Sequence, residues 1–142
     1  MTTPYSTFSD LVLHAAVDVD YRLVVHQPSR DLAVVAVHGG AIEPLTGELA
    51  TAIAGDEHSR YVLEGLRPAD NDQLRIPLAH YDELRLRSLL QRSLAALAIE
   101  GITDQRPRIG LGGSNGRLKE ELSQALVAAG WQVGRLATPG VA

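Results

Sequence analysis

The segment 32–37, LAVVAV, constrains this chain more than any other. A turn cluster, Pro28-Ser29-Arg30-Asp31, precedes it, and His38-Gly39-Gly40 follows it. A six-residue apolar run without alternation, bounded by turn signals, suits a strand covered on both faces. Such a strand sits at the centre of a sheet, so the rest of the chain must supply a layer on each side.

The flanking segments read accordingly. YRLVVH at 21–26 and RYVLEGL at 60–66 are β-branched or aromatic and predict strands. Pro44 fits a first helical turn, Leu45, Leu49, Ala52 and Ile53 recur at helical spacing, and Gly55 stops the pattern. Residues 74–78 predict a short strand that Pro77 places at an edge or end. Leu86, Leu89 and Leu90 predict a helix over 82–91, whereas 94–99 suits strand or helix. RIGL at 108–111 reads as a strand. Ser114-Asn115 caps a helix over 116–129, whose apolar face carries Leu118, Leu122, Leu126 and Val127. Gly130 ends it, and 131–136 is a last strand. Strands alternating with helices predict an α/β fold, a single mixed open sheet with helices on both faces. At 142 residues the chain reads as one domain, 1–142.

Composition excludes several functions. There is no cysteine, which removes disulfide frameworks, thiolate zinc sites and cysteine nucleophiles. The net charge is −4, and the 12 Arg and one Lys are spread along the chain, so no nucleic-acid partner is expected. No apolar run reaches the length of a bilayer span, and residues 1–10 lack the pattern of a secretory signal. No membrane association is expected, and a cytoplasmic location follows as the default.

The chemistry concentrates at 37–48, VHGGAIEPLTGE. The buried strand delivers His38 to its C-terminal end, the edge where open α/β sheets place ligands. Two glycines allow a tight turn and leave room for a ligand, and Glu43 returns at the start of a helix. An imidazole and a carboxylate across such a turn can hold a zinc ion and leave a position open for water. Spacing alone is met more readily by two polar residues at a strand end, since His-containing Gly turns are common.

This stretch resembles the HGGxIEPxTxE motif of the poly-γ-glutamate hydrolase family, carboxypeptidase-like zinc hydrolases often found in phages. Other segments agree in order: YSTFSDL at 5–11, Asp20-Tyr21 before the first strand, ATAIAG at 50–55, YVLEGL at 61–66, the 71–83 region, and Gly112-Gly113 before the last helix. The resemblance covers about 5–136. It implies a mixed sheet of the metallocarboxypeptidase-like, phosphorylase/hydrolase-like kind, a zinc cofactor held by His, Glu and a second His, and cleavage of γ-glutamyl amide bonds. Transferred residue by residue, the metal ligands are His38, Glu43 and, where the family has its second His in an IHG-like segment, Glu100 of Ile99-Glu100-Gly101. Arg75 stands where the family's LHI carries His. The family's general-base Glu lies in a later segment, beyond Ala142.

Two function classes follow. One is a zinc-dependent hydrolase acting on an anionic γ-glutamyl polymer, with Arg75 and Arg67 as substrate-binding candidates. The other is a non-catalytic binding or assembly protein, a pseudoenzyme that keeps the hydrolase fold and pairs as a homodimer. Lesser candidates read as structural. Asp82 and Glu83 suit a helix N-terminus, Tyr81 is a packing residue, and His58 lies in a solvated loop. The turn at 110–116 lacks both GxGxxG spacing and a P-loop lysine, which argues against nucleotide binding.

Overall fold

The structure, a computed structural model, describes residues 3–136. The chain forms two compact units, Met1–Gly101 and Ile102–Ala142.

In the first unit the order is α1 (Phe8–Leu11), β1 (Tyr21–His26), β2 (Leu32–Gly40), α2 (Thr46–Ala54), β3 (Ser59–Gly65), α3 (Leu84–Arg92) and β4 (Ala95–Ala98). The strands lie in the order β1-β3-β2-β4. β2 is parallel to both neighbours, and β1 is antiparallel to β3, which makes the sheet mixed. β2 is buried from Ala33 to Gly39, as its unbroken apolar run requires.

Alternation along β2 divides the core. Ala33, Val35 and Val37 join Phe8 and Leu11 of α1, Tyr61 and Leu63 of β3, and Leu86 and Leu89 of α3. Val34 and Ala36 pack instead with Val62 and with Ala50 and Ala54 of α2. Helices therefore cover both faces. Each fully buried Leu or Val is worth about 1.5–3 kcal/mol over its exposed state, so this paired core is what fixes β2.

Two expectations need correcting. Residues 74–78 are not a strand: two 3₁₀ turns, Asn71–Leu74 and Leu78–His80, flank Pro77. Leu74 and Ile76 are fully buried plugs of the first core, so their alternation mimics a strand without any ladder. The strands of the described residues also form two sheets, one of four strands and one of two. In the second unit β5 (Ile109–Leu111) and β6 (Val133–Arg135) pair with each other, in parallel, around α4 (Gly116–Ala128). Asn115 caps α4 by accepting from the Leu118 N–H at 3.0 Å, and Gly130 closes it at φ 94°. The residues after 136 lie outside the described chain. Among the described residues no helix is long and apolar enough to cross a membrane.

Candidate strand-end site

The site begins with a register shift. Ala36 of β2 pairs with Val62 of β3, but Gly39 pairs with Glu64, so β2 advances three residues while β3 advances two. A bulge of this kind re-aims side chains and is common beside functional positions. His38 lies inside it. The two glycines make the bulge fit. A Cβ on Gly39 would stand 2.7 Å from the Leu63 carbonyl oxygen, and one on Gly40, at φ +62°, 2.6 Å from that of Gly65. The space read as room for a ligand is filled by the backbone of β3.

The chain then turns back on itself. The Glu43 N–H donates to the His38 carbonyl at 2.7 Å. The buried Thr46 hydroxyl donates to the Glu43 carbonyl at 2.8 Å and lies 3.3 Å from the His38 carbonyl. Leu45, between them, is held at φ 76°, left-handed backbone that a branched side chain rarely adopts. These bonds bring the His38 and Glu43 side chains together. His38 Nδ1 lies 2.8 Å from Glu43 Oε1, and His38 Nε2 lies 2.8 Å from the Ile76 carbonyl oxygen. The His38 side chain is 7% exposed and that of Glu43 10%.

Both partners of the imidazole are acceptors. Since a carbonyl only accepts, Nε2 carries a proton to Ile76. A neutral ring then has no proton left for Glu43. The Nδ1–Oε1 contact is then completed by one further proton, on the ring or on the carboxyl.

The other carboxylate oxygen is also engaged. Arg75 Nη1 lies 3.0 Å from Glu43 Oε2, and the Gly101 N–H donates to the same oxygen at 3.1 Å. Gly101 permits this approach, because a Cβ there would stand 2.7 Å from Oε2. Arg75 comes from the segment between the two 3₁₀ turns and remains 43% exposed.

The remaining candidates are placed elsewhere. Glu100 is exposed and does not join His38 and Glu43: among the described residues no group of three His, Asp or Glu side chains is gathered for a metal. Arg67 is taken up structurally, donating to Asp20 Oδ1 at 3.0 Å while its backbone N–H donates to Asn71. The Ala16 N–H and Arg67 together hold the Asp20 carboxyl below its ordinary value. His58 is not merely solvated, since its Nδ1 lies 3.2 Å from Asp31. Glu83 caps α3 through the Leu86 N–H at 2.8 Å and accepts from the Tyr61 hydroxyl at 3.0 Å. Burial pushes its carboxyl up, but Leu86, Arg85 and Tyr61 outweigh it and hold it below the usual range. Tyr81 is buried against Phe8 and Tyr61. Sequence reading missed the Ile76 carbonyl and the Gly101 amide, because backbone groups carry no residue-type signal.

A catalytic zinc takes three protein ligands and keeps one position open. Two tetrahedral ligands of one zinc stand about 3.3 Å apart, wider than the direct His38–Glu43 contact. With a guanidinium on the other oxygen of Glu43 and no third ligand beside it, the residues described do not make that set.

A mixed sheet whose central parallel strand delivers a buried His–Glu pair to its carboxyl end defines the class: an α/β domain with its candidate site at the strand ends. The poly-gamma-glutamate hydrolase family matches residues 5–140, and the chain belongs to that family. Among relatives, UPF0714 protein YndL of Bacillus subtilis (strain 168) is 31% identical over 112 residues, 79% of this chain and 44% of YndL. The SPbeta prophage-derived UPF0714 protein YoqZ of the same organism is 28% identical over 127 residues, 89% of this chain and 46% of YoqZ. The chain thus spans less than half the length of either. Of solved structures, that of a bacteriophage poly-gamma-glutamate hydrolase superposes with TM-score 0.89 at 25% identity, covering 99% of this chain and 69% of that one. The zinc-free apo form of YndL superposes with TM-score 0.89 at 28% identity, covering 98% and 68%.

Proposed function

We propose that this chain recognises γ-glutamyl chains at its strand-end site without zinc-dependent cleavage, as a binding member of the poly-γ-glutamate hydrolase family. One observation carries the reading. His38 and Glu43 meet at 2.8 Å, whereas Glu100, at the position of the third ligand, is exposed and joins no group of three. The fold and the first two ligand positions are those the family resemblance implies, so the substrate class is kept while the metal chemistry lacks a ligand. Arg75, 43% exposed beside this pair, presents a guanidinium that suits the free carboxylate on each γ-linked residue.

The test is a binding and cleavage assay on the purified chain with a γ-glutamyl oligomer and added zinc. Retention of the oligomer without release of shorter products is expected. Zinc-dependent turnover that Glu43→Gln abolishes would overturn the reading.

A second reading, zinc-dependent γ-glutamyl amide hydrolysis with Glu100 as the third ligand, is favoured by one contact. The Gly101 N–H is bonded to Glu43, and Glu100 is the residue before it in the chain. The same assay decides between them, since turnover lost with Glu100→Ala supports hydrolysis.

A further inference from the structure

We propose that the Arg75 guanidinium takes the place of a metal ion as the resident cation of the strand-end site, and that it closes the His38–Glu43 pair to zinc. The inference rests on the binding reading above and adds the residue responsible.

Charge and coordination lead to the same residue. Glu43 brings the one carboxylate at the pair, and Arg75 neutralises it from 3.0 Å. The Gly101 N–H donates to the same oxygen, so Oε2 carries one hydrogen bond and one ion pair while Oε1 faces His38. A dication entering here would join a carboxylate already paired with the Arg75 guanidinium. It would have to displace the guanidinium or sit beside it in a site 90% withdrawn from solvent at Glu43. Either route weakens binding, because like charges in a low-dielectric site repel strongly.

The position of Arg75 in the chain makes the arrangement specific. Its neighbours Leu74 and Ile76 are fully buried, and Ile76 also accepts from His38 through its carbonyl. One short segment thus clamps both members of the pair: the Ile76 backbone orients the imidazole, and the Arg75 side chain occupies the carboxylate. Core plugs on either side of Arg75 fix the segment's height.

The experiment is zinc binding to the intact chain, by calorimetry and by metal content after dialysis. It is read for the wild type, Arg75→Ala, Arg75→Lys, and Arg75→Ala combined with His38→Ala. The wild type is expected to retain no stoichiometric zinc. Arg75→Ala is expected to bind at least tenfold more tightly, and adding His38→Ala is expected to remove the gain. Arg75→Lys, which keeps the charge, is expected to stay closed and guards against a fold defect in the alanine variant. Wild-type zinc binding as tight as that of Arg75→Ala overturns the inference, as does failure of every Arg75 variant to gain affinity. Oligomer binding measured on the same samples reports the functional reading separately. Zinc results as expected with no oligomer bound would sink that reading and leave the role of Arg75 standing.

Discussion

The backbone amide of Glu43 donates to the carbonyl of His38 at 2.7 Å, and this one bond accounts for the five-residue spacing of the pair. It closes the turn so that both side chains project to the same side. The register shift between Ala36 and Gly39 starts that turn inside the sheet, and the glycines there are structural before they are functional. Fold and site thus meet in a single stretch of backbone.

The first consequence concerns Gly40. A Cβ at this residue would stand 2.6 Å from the Gly65 carbonyl oxygen, and its φ of +62° disfavours any L side chain. Neither neighbour is a flexible side-chain tip, so the strand pair itself must shift. Gly40→Ala is expected to cost about 2–4 kcal/mol, read as a lower urea midpoint. An unchanged midpoint would show that β2 and β3 can separate there without loss.

Leu45 runs the other way. It sits at φ 76° with 74% of its surface exposed, so it contributes strain and little burial. Leu45→Gly relieves the left-handed backbone and loosens the unfolded chain by less than the strain removed. A net gain of about 0.5–1 kcal/mol is expected. Urea denaturation of the variant checks it, and destabilisation would mean that the Leu45 side chain makes a contact worth more than its strain.

Exposure ranks the ion-pair partners. The Glu43 side chain is 10% exposed and faces both His38 and Arg75, whereas Arg75 is 43% exposed. Glu43→Gln keeps the shape but leaves two cationic or proton-bearing partners without their anion, at an expected cost of about 1–3 kcal/mol. Arg75→Ala leaves Glu43 with the Gly101 N–H and His38, and is expected to cost under about 1 kcal/mol. Thermal melts of the two variants test the order, and a larger loss for Arg75→Ala would reverse the assignment of Glu43 as the hub.

How much of this was legible in the sequence depends on the range of the interactions. β1, β2 and β3 announce themselves through local runs of Val, Leu and Tyr. α4 announces itself through Asn115, its leucine spacing and Gly130. The His38–Glu43 pairing was legible because the turn that makes it is local. α1 was missed, since four residues capped by the Thr7 hydroxyl are too short for any periodicity. The false strand at 74–78 arose because two core plugs separated by one exposed residue carry the signature of a ladder. The partners of Arg75 and Arg67 were beyond reach, as their carboxylates lie 32 and 47 residues away in the chain. The glycines of the bulge were legible as a special backbone, but what fills the space beside them is decided by β3.

The pH range of stability follows from the carboxylates and tyrosines outside the site. Ser29 and His58, with the Leu32 N–H, hold Asp31 down at about 2, below its ordinary 3.8. Asp20, Asp82, Asp104 and Glu83 are also held low by hydrogen bonds. For such groups the folded state binds protons more weakly than the unfolded one. Their contribution is therefore complete above the ordinary carboxylate range and is lost as pH falls through the lowered values. Tyr61 and Tyr81 behave oppositely. Burial pushes both hydroxyls above 10, so their contribution is complete below that pH and is lost as the medium becomes more alkaline. Stability is expected to be flat from these groups between about pH 5 and 10, to decline between about pH 4 and 2, and to decline again above pH 10. Urea midpoints across a pH series test this. Tyr61→Phe should flatten part of the alkaline limb and also lessen the Glu83 share of the acid limb, since the Tyr61 hydroxyl helps to hold that carboxyl low; an alkaline limb unchanged in Tyr61→Phe would remove the buried tyrosine from the account.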